Sequence, residues 1–177
     1  LILIRGTVMQ FTSFAFLLFI VPVFLAYWAI GPRRPAARNI FLLFSGYFFY
    51  GWWDWRFLFL LAFVSLSGYL VALRIQRSSE KRTRKAWFLA GIMLNVAILA
   101  YFKYLGFFLS STTTLLSWIG FSYHLPTLKI ILPLGISFYI FLSVSYLIDV
   151  YYRRLEAVTN PVEILLSLSF FPIILAG

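Results

Sequence analysis

Apolar residues in this chain come in long blocks, not in the short bursts that line a soluble core. Blocks occupy residues 11–30, 39–53, 57–73, 86–102 and 128–150, and another begins near Val162. A helix needs about 20 apolar residues to cross a hydrocarbon core roughly 30 Å thick, and these blocks approach or reach that length. The breaks are polar and carry helix punctuation. Gly31-Pro32-Arg33-Arg34-Pro35 stops the first block and adds charge. Asp54 and Arg56 mark a turn after the second, Arg153 and Arg154 sit in a loop at 151–163, and Pro161 opens the last helix at its first turn. Residues 105–120 fit neither pattern, because two short apolar pieces flank Ser110, Ser111, Thr112, Thr113 and Thr114. Polar backbone at membrane depth must face protein or water, so a re-entrant or interfacial segment is expected there. The pattern predicts an all-α polytopic membrane protein with about six transmembrane helices plus that segment.

Composition agrees. The chain is 63% hydrophobic and 11% charged, with mean hydropathy +0.94. Soluble domains run at about half apolar and about a quarter charged, so there is too little polar surface here to coat a water-soluble body. The formal charge of +10 invites a nucleic-acid reading. The placement of the basic residues argues against one, since they cluster in short segments between apolar blocks, as the positive-inside rule describes. The segment 74–85 holds Arg74, Arg77, Lys81, Arg82, Arg84 and Lys85 against one acid, Glu80, and reads as a solvated loop beside an anionic leaflet. If 105–120 does not cross, eleven of the fifteen Lys and Arg share the cytoplasmic side; if it crosses, ten do. The charge rule therefore leans only weakly to the first arrangement, which puts the N-terminus outside. Residues 1–8 read as an upstream extension before Met9, and the block from Phe14 to Ile30 as an uncleaved first span. With no cysteine and one histidine, a thiolate nucleophile, a disulfide and a zinc site are all excluded as expectations for these residues.

Residues able to carry chemistry are few. Asp149 lies near the end of the 128–150 block, and Arg153 one turn later can neutralise it. The pair reads either as structural or as orienting a group beside a substrate channel. Pro133, Gly135 and Ser137 predict an irregular or tightly packed helix start. Tyr139 and Tyr146, seven apart, share a helix face and can line a channel or bond across to other helices. His124 has no acid near it in sequence to orient it as a base. Asn95 reads as an interhelical hydrogen bond, and Ser65 with Gly68 as a close helix contact. Trp52, Trp53 and Trp55 read as an interfacial anchor, with a carbohydrate-stacking platform as the alternative.

Four motifs occur in order: Tyr50-Gly51-Trp52-Trp53-Asp54-Trp55-Arg56, then Tyr101-Phe102-Lys103-Tyr104, then Ile131 to Tyr139 with Ser145 to Tyr151, then Phe170-Phe171-Pro172. Together they resemble the membrane-bound O-acyltransferase family, in its bacterial branch that acetylates polysaccharides such as alginate. The chain departs from that pattern at Ile140-Phe141-Leu142, where relatives often carry threonine and glutamine. The resemblance implies that 9–177 is the N-terminal part of one membrane domain, a ring of tilted helices around a tunnel. It implies an acetyl thioester as donor with no bound cofactor and no metal, an exported polysaccharide as acceptor, and an extracytoplasmic acetyltransferase as partner. It places the chain in the bacterial cytoplasmic membrane. It also places the catalytic histidine well downstream of the Asp149 motif, beyond Gly177, so no catalytic residue is expected here and this part alone is expected to be inactive. Two other classes remain: a transporter or export component, which would call for an inverted repeat or several membrane carboxylates, and a membrane scaffold acting through the basic segment 74–85.

Overall fold

The computed structural model describes residues 14–105, 107, 108, 111 and 132–176, and all regular structure among them is helical. Helix α1 (Phe14–Ile30) ends at Gly31, whose φ of +75° is left-handed and whose N–H bonds back to the Trp28 carbonyl at 3.1 Å. Helix α2 (Pro35–Asp54) starts on a proline, whose fixed φ and missing N–H suit a first turn. The Asp54 carboxylate caps a 3₁₀ turn (Trp55–Phe57) by accepting from the Arg56 N–H at 3.0 Å, and α3 (Leu58–Arg77) follows at once. Helix α4 (Lys81–Leu99) runs on through a π-helical turn (Ala100–Tyr104).

The stretches Trp55–Arg77 and Lys81–Tyr104, of 23 and 24 residues, are long and apolar enough to cross a membrane. At a rise of about 1.5 Å per residue each spans roughly 35 Å. The segment 74–85 is therefore not the loop its charges predict. Only residues 78–80 leave the helix, and both flanks are wound. Charge does not unwind a chain whose Arg and Lys are good helix formers. Helix α3 has two apolar faces. Leu61, Val64, Ser65, Gly68, Ala72 and Ile75 are buried, while Phe59, Phe63, Leu66 and Leu70 are exposed at spacings of four, three and four. A stripe of that kind suits lipid and would be a liability in water.

Helix α5 (Ile136–Tyr151) begins later than the apolar block suggests, after a turn at Leu134-Gly135. Helix α6 (Pro161–Ser169) is capped by Asn160, whose side chain accepts from the Val162 N–H at 3.1 Å and donates to Glu163 at 3.2 Å. The last block is not one span, because Pro172 has no N–H to offer the Leu168 carbonyl. The helix breaks at Phe170 and restarts as α7 (Phe171–Ala176). Helices α3, α4 and α5 pack together; α6 lies against α2 and α3, and α1 lies along α2.

The start of α1 meets the end of α2 (Phe16 with Phe49), and the start of α4 meets the ends of α3 and α5 (Trp87 with Arg74, Phe88 with Tyr151), so the bundle has two chemically different ends. One collects the turns holding Arg33, Arg34 and Arg38, the basic residues of 74–85, and Arg153 with Arg154. There Phe88 stacks on Tyr151 at 4.3 Å, the Tyr69 hydroxyl donates to the Thr159 carbonyl at 2.9 Å, and the Ala157 N–H donates to Gln76. The other end holds Asp54, Arg56, Lys103 and the start of α5. The described flanks of 106–131 both lie at this second end, since Phe102 packs on the cluster that includes Ile136.

Candidate functional site

The start of α5 is where motifs far apart in sequence meet. Gly135 has φ +66°, and a methyl group on it would stand 2.8 Å from both the carbonyl oxygen and a methyl of Ile174 in α7. Only glycine supplies that backbone and that clearance. The turn turns the Leu134 carbonyl away from any helical partner, and the buried Tyr50 hydroxyl donates to it at 3.0 Å across 84 residues. Tyr139, one turn into α5, brings its hydroxyl beside that of Tyr50. Both phenols sit in one core cluster with Leu61, Val64, Ile136, Ile140 and Ile174. On the rim, the exposed Lys103 ammonium reaches the Ser137 hydroxyl at 3.5 Å from the π-helical turn. Extra residues in a π turn commonly re-aim side chains at functional sites, and here the turn delivers the lysine. Asp54 and Arg56 form a forked pair, with the shortest contact at 2.6 Å. Hydrogen bonds from Arg56 hold the Asp54 carboxyl below its usual range.

The first three motifs thus furnish a neutral, hydroxyl-rich interior below a cationic rim, while Phe171 of the fourth packs with Phe16 and Phe49 in a separate cluster. Such an arrangement can bind and orient a carbonyl or a hydroxyl group. Proton abstraction needs a base with a matched pKa, and the described residues here offer none in that role. No three of the described Asp and Glu side chains gather as they would around a metal ion.

The predicted site residues do not all belong to this place. Pro133, Gly135, Ser137 and Tyr139 do. Tyr146 sits toward the opposite end of α5, where its hydroxyl accepts from the Val158 N–H at 2.9 Å and closes the 151–160 loop. Asp149 lies at that end as well, and its partner is Arg154 at 3.8 Å, not Arg153. The helix stops at Tyr151 and Arg153 turns left-handed with φ 58°, which ends the i,i+4 geometry. Asn95 is buried but bonds within its own helix, to the Gly91 carbonyl at 2.8 Å, rather than across to another. Gly68 does mark a close crossing, with Ser143 of α5 3.0 Å from where a β-carbon would stand. Trp52 and Trp55 are exposed, as an interfacial belt requires. Ile140 is 1% exposed in the core, so the position where relatives differ is filled as packing. His124 and the 105–120 segment from residue 112 onward lie outside the described residues. Lys103 and Tyr50 were the residues sequence reasoning passed over. Their signal was membership of motifs, which gives no contact partner.

Over nearly its whole length the chain is similar to part of bacterial proteins named as an O-acetylase or O-acetyltransferase. It is 38% identical over 171 residues to the probable alginate O-acetylase AlgI of Pseudomonas putida, and 36% identical over 170 residues to the protein of the same name in Azotobacter vinelandii; each match covers 96% of this chain. A peptidoglycan O-acetyltransferase of Helicobacter pylori is 30% identical over 202 residues, covering 99% of the chain. The chain spans about a third of the length of these relatives, 34%, 34% and 37%. No protein-family profile matches the chain, and no solved structure matches it.

Proposed function

We propose that this chain forms part of a membrane O-acetyltransferase that esterifies an exported polysaccharide. The supporting observation is the convergence of three of the four motifs on the broken start of α5, where Tyr50, Tyr139, Ser137 and Lys103 gather. In this reading the helices cross or line the cytoplasmic membrane of a bacterium. The end rich in arginine faces the cytoplasm by the positive-inside rule, and the motif end faces outward. The hydroxyls and Lys103 orient the acyl group or its acceptor in a site that excludes water, so that transfer outruns hydrolysis. The general base is a histidine contributed from outside these 177 residues. An acetyl thioester on the cytoplasmic side is the donor, and an extracytoplasmic acetyltransferase receives the group or works beside the protein. Alginate-like polymers are the leading acceptor, as two relatives' names state, and peptidoglycan is the other named case.

The test is ester-linked acetate on exported polymer, measured in cells carrying the intact protein, a deletion, or Lys103→Ala. The reading expects acetate to vanish in the deletion and to fall about tenfold or more in the variant, in line with loss of one orienting contact. Unchanged acetate in the deletion strain would overturn it.

A further inference from the structure

The end opposite the motifs carries a second feature with a different chemistry. A cleft of about 440 Å³ opens there, lined by Ser79, Lys81, Arg84, Tyr151, Tyr152 and Arg153. Three of the six lining residues are cationic and none is acidic. Two carboxylates close in sequence make contacts of their own. Asp149 pairs with Arg154 at 3.8 Å, and Glu80 accepts from the Thr83 hydroxyl at 2.8 Å. The lining itself is therefore net positive, with the Glu80 carboxylate next to it in sequence. The Arg84 Nε is itself enclosed and makes no hydrogen bond among the described residues, so it is the rest of the half-buried guanidinium that Arg84 can present to the cleft. The Arg84 guanidinium lies 5.3 Å from the centre of the Tyr151 ring, which also stacks on Phe88 and meets Tyr152 edge-on. The guanidinium's remaining N–H groups can give an oxyanion in the cleft charge-assisted bonds. Helix α4 begins at the same wall with no side chain capping its first turn, which adds partial positive charge. Water occupies roughly 30 Å³ per molecule, so the cleft has room for a phosphate and several waters.

We infer that this cleft is a phosphate-binding site, in which Arg84, Lys81 and Arg153 grip the oxyanion and the Tyr152 and Ser79 hydroxyls line its flank. A phosphate can reach the cleft as the headgroup of an anionic phospholipid or on a soluble phosphate ester. The chemistry of recognition is the same, and the source is settled by measurement.

The intact protein is purified into phosphatidylcholine nanodiscs with and without phosphatidylglycerol. Retained phosphatidylglycerol is counted by native mass spectrometry, and pyrophosphate is titrated as the soluble probe. The parent is expected to retain phosphatidylglycerol or bind pyrophosphate. Replacing Lys81, Arg84 and Arg153 together by Gln is expected to lower that binding about tenfold or more, as befits loss of charge-assisted bonds. A charge-matched control replacing Arg33, Arg34 and Lys85 by Gln should leave it within about twofold, since exposed charges are worth little singly. Pyrophosphate displacing the lipid identifies a soluble ester site, and lipid retention indifferent to pyrophosphate identifies a headgroup site. No binding to either probe, equal loss in the control, or full binding in the triple variant overturns the inference. If the triple variant does not fold, the exposed single change Lys81→Gln serves, with about threefold weaker binding expected from one lost contact.

Discussion

Gly135 and Gly31 both have positive φ, yet they make opposite demands on their surroundings. A β-carbon at Gly31 meets nothing within 4 Å, so Gly31→Ala bears only the backbone cost of about 1 kcal/mol. The same change at Gly135 adds a collision with the Ile174 carbonyl and is expected to cost about 3 kcal/mol or more. Thermal unfolding in detergent separates the two, and equal midpoints would mean α7 does not press on the α5 turn. Tyr50→Phe leaves the Leu134 carbonyl without its hydroxyl donor and should lose about 1–2 kcal/mol in the same assay. Asp54 titrates in a predictable direction. Its folded pKa is below the ordinary 3.8, so the pair with Arg56 stabilises the 55–57 turn in full above that value and is lost as pH falls through the depressed one. Fluorescence of Trp52 and Trp55 should follow that acid transition, and Asp54→Asn should abolish it.

Among elements, the contacts are set by small residues, and what stands opposite each one decides its tolerance. At Gly46 a β-carbon would lie 2.7 Å from the Ser169 backbone carbonyl, which cannot move without shifting α6. At Gly51 the nearest atom is a Leu58 methyl at 3.0 Å, the end of a flexible side chain. Gly46→Ala should therefore destabilise the α2–α6 contact by about 1–3 kcal/mol, and Gly51→Ala should be near neutral. Heat inactivation in membranes compares them. The exposed face of α3 supplies a second test. If Phe63 faces lipid near the middle of its helix, Phe63→Arg costs roughly 2.5–3.5 kcal/mol of insertion. A glycosylation-site or protease-protection readout of α3 insertion that is unmoved by the arginine would place that face against protein or water.

For the whole molecule, orientation is the property most open to direct measurement. The chain has no cysteine, so single cysteines report without background. Cysteines at Ser79 and Glu156 should react only with reagent on the cytoplasmic side, and cysteines at Arg56 and Lys103 only from outside. Labelling of both pairs from one side would contradict the two-ended bundle.

Local chemistry determined much of this protein before any contact was known. Apolar block length marked the helices, prolines and Gly31 placed their ends, and the distribution of arginine separated the two ends, because each follows from backbone geometry and desolvation within a few residues. Motif order sufficed to point to the bacterial O-acetylases that the chain is similar to. The sequence could not say that the segment 74–85 is wound, that Asp149 turns to Arg154, or that Asn95 bonds inside its own helix, since each depends on where a helix stops by one or two residues. Nor could it join Tyr50 to Leu134, Lys103 to Ser137, or Gly135 to Ile174. Those pairs are separated by 84, 34 and 39 positions, and only helix packing brings them within reach.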